Sequence, residues 1–169
     1  QKASNSSTVS GYTCGGFVPP SNFSNIIDKF PFTNDANATD VGDLSEAGQG
    51  SAGQSSGTHG YVSGGNITSP TIVVSRIQKF PFSTDTNATL VSQLNIEKDN
   101  AAGTNSNTHG YTSGGRDGSG GYLTTINKFP FSSNAAAREV GDLTQARTSI
   151  VGQSSTANGY GSGGFFTPP

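Results

Sequence analysis

Gly60-Tyr61-Val62-Ser63-Gly64-Gly65 is the stretch on which the reading of this chain turns. It recurs as Gly110-Tyr111-Thr112-Ser113-Gly114-Gly115. Near the two ends it appears as Gly11-Tyr12-Thr13-Cys14-Gly15-Gly16 and Gly159-Tyr160-Gly161-Ser162-Gly163-Gly164. The first glycines stand at 11, 60, 110 and 159, so the spacings are 49, 50 and 49 residues. A second block keeps the same beat: Lys29-Phe30-Pro31-Phe32, Lys79-Phe80-Pro81-Phe82 and Lys128-Phe129-Pro130-Phe131. A third runs Val41-Gly42-Asp43-Leu44, Val91-Ser92-Gln93-Leu94 and Val140-Gly141-Asp142-Leu143. Three landmarks in fixed order at one period mark tandem structural repeats. With boundaries at the first Gly of each block, residues 1–10 end a preceding repeat, and residues 11–59, 60–109 and 110–158 are three repeats. Residues 159–169 are then a duplicated terminal strand.

Within a repeat the pattern predicts about four short strands and no long helix. Gly-Tyr-x-Ser-Gly-Gly reads as a strand closed by a double-glycine turn, because glycine permits positive φ and close backbone approach. A loop of variable length follows, at 17–24, 66–70 and 116–121. The next strand covers residues 26–32, 73–82 and 122–131. Its parity puts Ile27, Lys29 and Pro31 on one face and Phe30 and Phe32 on the other. Apolar groups on both faces predict a strand covered on both sides. Residues 33–39 form a turn rich in Asn, Asp and Ser. Strands at 38–44 and 51–55 complete the unit, and residues 144–147 are open to a short helical turn. The aromatic positions Phe30, Phe32, Phe80, Phe82, Phe129 and Phe131, with Tyr12, Tyr61, Tyr111 and Tyr160, are the predicted structural core.

Composition narrows the function classes. The chain has 169 residues, 12% charged, with a formal net charge of -2, which excludes a basic nucleic-acid footprint. Only 30% of residues are hydrophobic and 24 are glycine, a composition shared with disordered chains. The phased Phe-Pro-Phe blocks argue for a fold instead. No apolar run reaches the roughly 20 residues of a membrane helix. Met is absent, so we expect a processed product or a piece of something longer. Cys14 stands where the other copies have Ser63, Ser113 and Ser162, which reads as a small-residue substitution.

Few residues suggest chemistry. His59 and His109 precede Gly-Tyr in two units, but Asn158 takes that place in the third, and no carboxylate or Cys shares the phase for a metal site. Asp35-x-Asn37-x-Thr39 and Asp85-x-Asn87-x-Thr89 space oxygens in the manner of a calcium loop, but the third unit loses the pattern and no bidentate Glu follows. An Asx-type turn explains them better. Asn5, Asn22, Asn37, Asn66 and Asn87 begin Asn-x-Ser/Thr sequons. No Ser/His/Asp set, paired acids or phosphate loop stands out from the repeat. No catalytic residue, metal or cofactor is expected. Lys29, Lys79 and Lys128 are the candidate binding row, beside the Phe pair. The plainer reading is that their stems cover the strand and pair with Asp43 or Asp142.

The order and length of these blocks resemble kelch-type β-propeller repeats. The double Gly falls at Gly64-Gly65, the aromatic strand at Ile77 through Phe82, the apolar block at Val91 and Leu94, and the small-residue/Arg segment at Ala146-Arg147. The chain departs in having no Trp and a polar strand before Gly-Gly. Gly-Tyr-x-Ser-Gly-Gly with Lys-Phe-Pro-Phe and Asn-Ala-Thr-x-Val-Gly-Asp-Leu also looks like repeats of structural proteins of aquatic bacteriophages and bacteria. The resemblance implies an all-β chain of kelch-like units, either propeller-like blades or an open stack. A propeller closes with about four to eight blades, so three units need completion by assembly. The expected function is a non-enzymatic building block of an extracellular assembly or virion, self-associating through its terminal strands or with other structural chains. The alternative is an adhesin that binds surface glycans or a receptor through the variable loops.

Overall fold

The structure is a computed structural model that describes residues 2–67 and 72–166. The tip of the predicted loop at 66–70 therefore lies in part outside the described residues. Among the described residues there is no helix, and all regular structure is β.

Three four-stranded antiparallel meanders and one hairpin follow each other along the chain. The first sheet holds β1 (Ala3–Ser6), β2 (Ser10–Val18), β3 (Asn22–Pro31) and β4 (Thr39–Asp43), in chain order. A two-residue strand, β5 (Gly48–Gln49), leads into the second sheet. That sheet is β6 (Ala52–Ser55), β7 (His59–Ser63), β10 (Arg76–Pro81) and β11 (Thr89–Gln93). Between β7 and β10 lie β8 (Asn66–Ile67), which pairs with β5, and β9 (Ile72–Val73), which pairs with β8. The third sheet is β12 (Ala102–Asn105), β13 (His109–Ser113), β14 (Thr125–Pro130) and β15 (Arg138–Asp142). The hairpin is β16 (Val151–Ser154) and β17 (Gly159–Ser162).

Counted by sheets, each unit starts one strand before its Gly-Tyr block. The strand at 52–55 pairs with β7 of the block that follows it. The sheets therefore span 3–43, 52–93 and 102–142, and Ala3–Ser6 is the first strand of a sheet. The terminal element is likewise a two-stranded hairpin rather than a lone strand. Residues 17–24 are mostly strand: β2 and β3 run on past the double glycine to pair Phe17 with Phe23.

The double glycine fixes the bend after each second strand. Gly64 and Gly65 have φ of 65° and 98°, which glycine adopts without a Cβ penalty. Their spare space is used, since the Gly65 N–H donates to the Lys98 carbonyl at 2.8 Å. The same bond joins Gly115 to Arg147. The segments after the second and third sheets are thereby tied under the turns of their own sheets. All three connecting segments also bridge onto the next element, through Gly48 to Ile67, Asp99 to Arg116 and Thr148 to Phe165.

The apolar core lies between sheets. Tyr12, Ile27 and Leu44 of the first sheet enclose Phe80 and Ala88 of the second, with Val41 and Phe82 at the margin. Tyr61, Ile77 and Leu94 of the second sheet enclose Phe129 and Ala137 of the third, with Val91 and Phe131 at the margin. The two faces of β10 point opposite ways: Phe80 packs back on the first sheet and Ile77 forward on the third. This placement corrects three predicted core positions. Phe30 is 36% exposed, Phe32 56% and Tyr160 54%. Each projects from a terminal face that has no neighbouring sheet among the described residues, whereas Phe80 in the same slot as Phe30 is 2% exposed.

Candidate assembly interface

The residues singled out by the repeat converge on the contact between consecutive sheets, which has three zones. The inner zone is formed by the first strands. A Cβ on Gly53 would strike the Ser4 backbone, one on Gly103 the Gly53 backbone, and one on Gly152 the Gly103 backbone. Glycine at this position thus lets successive first strands touch main chain to main chain. A ladder runs along them: the Ser6 N–H donates to Ser55 Oγ, the Ser55 N–H to Asn105 Oδ1, and the Asn105 N–H to Ser154 Oγ, at 2.9, 3.2 and 2.9 Å. Asn5 and Gln54 are buried beside it. Asn5 Nδ2 donates to the carbonyls of Gln54 and Tyr61 at 2.6 and 2.9 Å. Gln54 Nε2 reaches the Tyr111 carbonyl and Thr112 Oγ1 at 3.0 and 3.1 Å. Pairing matters for these two amides, since an unpaired buried one costs about 1–3 kcal/mol.

The middle zone is aromatic. The Phe82 ring stacks on Tyr12 at 5.0 Å between centroids, and Phe80 tilts against it at 5.4 Å. One unit on, Phe131 stacks on Tyr61 at 4.7 Å and Phe129 tilts at 5.7 Å. The two interfaces repeat one geometry, and offset rings at these distances are favourable beyond their buried area.

The outer zone is a polar clasp made by the turn after Phe-Pro-Phe. Lys29 Nζ pairs with Asp85 of the next unit at 3.0 Å, and Lys79 Nζ donates to Asn134 Oδ1 at 3.4 Å. The Asp85 hydrogen bond raises the Lys29 pKa. The Asp43 N–H donates to Asn87 Oδ1 at 3.0 Å, and the Ala88 N–H returns to the Asp43 carbonyl at 2.8 Å. The Ala137 N–H meets the Gln93 carbonyl in the same way at 2.9 Å.

The expected pairing of the lysines with Asp43 or Asp142 is therefore replaced by a partner from the following unit. Strand twist and the sheet-to-sheet offset carry each lysine head forward, away from its own turn. Two of the three lysines are engaged. Lys128 has its Nζ 5.8 Å from the Tyr111 ring centroid. Asp85 and Asn87, spaced as a calcium loop, are spent on this clasp.

The remaining candidates are also placed. His59 and His109 bond the neighbouring Thr58 and Thr108 hydroxyls through Nδ1 at 2.8 and 2.9 Å. Burial, then nearby lysines, lower both imidazole pKa values. No group of three His, Cys, Asp or Glu side chains converges among the described residues. Cys14 is buried, its Sγ donates to Asn5 Oδ1 at 3.6 Å, and burial pushes the thiol pKa up to about 12. The sequon residues Asn5 and Asn66 are buried.

Sequence reasoning missed a charged cluster in the connecting segments. Asp99 is fully buried and accepts from Arg116 Nε and Nη2 at 3.2 and 2.8 Å and from Asn66 Nδ2 at 2.9 Å. Lys98 is buried too, its Nζ donating to Thr125 Oγ1 and the Thr125 carbonyl at 2.7 and 3.2 Å, and burial pulls its pKa down to about 8. The available signal was that Lys98 and Arg147 share one repeat phase.

Two cavities bear on this contact. An open cleft of about 740 Å³ is lined by the first strands of all three sheets and the hairpin, at Ser4, Gly53, Gly103 and Gly152. A second cavity of about 360 Å³ lies between the third sheet and the hairpin, lined by Tyr111, Ile126, Val140, Leu143, Gly159 and Tyr160. Compared with known proteins, the chain matches no family model and no curated sequence.

Proposed function

We propose that the chain is a non-enzymatic building block of an extracellular assembly or virion, and that it extends by adding units of its own kind. One observation carries this reading. The contact set that joins the first sheet to the second recurs between the second and third, and among the described residues its two halves stand open at opposite ends. Phe30 and Phe32 are exposed at one end, and the groove with Tyr111 and Ile126 is open at the other. A head-to-tail contact of this kind gives a ring or a filament according to the rotation per step. The units are read as kelch-like propeller blades because the first strands of all four line one cleft, as inner strands do around a propeller axis. The extracellular or virion setting rests on the resemblance of the repeat blocks to those of aquatic phage and bacterial structural proteins. Light-scattering mass against concentration, with negative-stain electron microscopy, tests the reading. Rings or filaments are expected, and a mass that stays monomeric at all concentrations refutes self-assembly.

A second reading has one observation of its own. The long hairpin of the first sheet carries Phe17 and Val18, both about half exposed, with Phe23 against Phe17 at 6.3 Å. An apolar tip on a constant frame suits a glycan- or receptor-binding adhesin. A glycan array on the isolated chain, repeated with Phe17→Ser, decides this reading: binding lost in the variant supports it, and no binding by either refutes it for glycans.

A further inference from the structure

We propose that the junction between the second and third sheets holds one buried water, bound by Asn127. The first junction closes the same place with a direct side-chain bond and stays dry. The site lies between two paired sheets, so it stands apart from the building-block reading. Asn127 is on β14 and is fully buried. Neither its Oδ1 nor its Nδ2 meets a hydrogen-bond partner among the described residues. Buried amides of folded proteins are paired with protein or with ordered water, because burial strips them of bulk hydration.

The preceding unit shows how the position is used when its side chain is longer. Gln78 on β10 holds the same place, just before the lysine of Lys-Phe-Pro-Phe, and is buried. Its Oε1 accepts from the Ser45 N–H, in the segment that follows β4, at 2.8 Å. One side chain thus spans the first junction. Ser45 follows Leu44 as Asn95 follows Leu94, so the Asn95 N–H is the matching donor at the second junction. Asn127 is one methylene shorter than Gln78, and its Oδ1 does not reach that donor.

The neighbours change in the same direction. The register sets Gln78 beside Val62 and Asn127 beside Thr112. Val62 shares an apolar cluster with Cys14, whereas Thr112 Oγ1 lies 2.8 Å from Ser63 Oγ. Cys14 and Ser63 hold one repeat position, and Val62 and Thr112 hold another. At this place the first junction is therefore lined with apolar groups and the second with hydroxyls. Buried water needs a polar lining and two to four partners, and apolar space stays dry. Asn127 brings an acceptor and a donor, and Thr112 Oγ1 and the Asn95 N–H are the further partners. A ligand that donates and accepts at once inside a closed junction is a water.

The test uses the whole chain, isotope-labelled, and reads water-to-amide cross-relaxation by NMR. The Asn127 side-chain amide is expected to show a cross-peak to a long-lived water. Asn127→Gln restores the longer reach and is expected to abolish it. No cross-peak at Asn127, or one that survives on the glutamine amide, overturns the proposal. Asn127→Leu gives an independent sign, because it keeps the approximate shape and removes both polar atoms. If a water pairs the amide, Leu lowers the urea midpoint, since paired groups are lost and Thr112 and Asn95 lose their bridge. If the amide is an orphan, Leu removes only an unpaired group and the midpoint rises. An unchanged or raised midpoint therefore also overturns the proposal. Should Asn127→Leu fail to fold, the spectra of the unaltered chain and of Asn127→Gln still decide.

Discussion

Phe80 and Phe30 occupy the same slot of the same strand in neighbouring units, and they live in different solvents. Phe80 is 2% exposed, under Tyr12 and beside Val62, whereas Phe30 is 36% exposed. The ring, its strand and its local sequence are alike. What differs is whether another sheet lies against that face. The middle sheet is thus half of two cores and no sheet is the whole of one, so stability accrues at the junctions, as in other quasi-one-dimensional arrays.

The largest expected effect breaks this comparison most openly. Phe80→Ala should cost about 3–5 kcal/mol, as for a buried aromatic truncated in a packed core. Phe30→Ala should cost about 1 kcal/mol or less, as at a surface site. Urea unfolding of both variants measures the gap, and equal losses would remove the distinction between junction and terminal face.

A glycine pair sharpens the comparison at the outer clasp. Gly42 and Gly141 hold nearly the same backbone, with φ of 153° and 159°. Strain from an added methyl is therefore common to both. Only at Gly42 does a Cβ meet a neighbour, 2.7 Å from Thr86 O. Gly42→Ala should exceed Gly141→Ala by about 1–3 kcal/mol of overpacking, read from the same unfolding curves.

The connecting segments differ in what they bury. Lys98 is fully buried, and burial holds its pKa at about 8 against an ordinary 10.5, whereas Arg147 at the same phase is only half-buried. Between about pH 8 and 10.5 the unfolded chain binds more protons than the folded one, so stability should rise with pH across that window. The Cys14 thiol works in the opposite direction, because its folded pKa is raised to about 12. Melting curves in a Cys14→Ser background isolate the lysine. Lys98→Met should flatten the rise, and a slope that survives it would place the titrating group elsewhere.

The smallest effect is expected at the lysine row. Lys29→Ala breaks an exposed ion pair and should cost about 0–1 kcal/mol, less at high salt. Lys128→Ala, with no pair shown, should be nearly silent. A double-mutant cycle of Lys29 with Asp85 measures the coupling directly.

The repeat itself was legible, because Gly-Tyr, Lys-Phe-Pro-Phe and Val-Gly-Asp-Leu recur at one period. The two-faced third strand was legible from its parity. Three things were not. Parity reports which way Phe30, Phe32 and Tyr160 point, but not whether a sheet waits there. The four residues at 52–55 suit either flanking Gly-Tyr strand, and only hydrogen bonding assigns them to the later one. The burial of Lys98 and Asp99 depends on how a connecting segment folds against the neighbouring sheets, which no local pattern reports.

The most direct test is residue-resolved hydrogen exchange at three matched alanines. The Ala88 and Ala137 amides donate across a junction to Asp43 and Gln93, and both residues are buried. Ala38 holds the same repeat position on the terminal face and is exposed. In dilute solution Ala88 and Ala137 should exchange slowly and Ala38 fast. If all three exchange alike, the junctions between sheets do not hold this protein together.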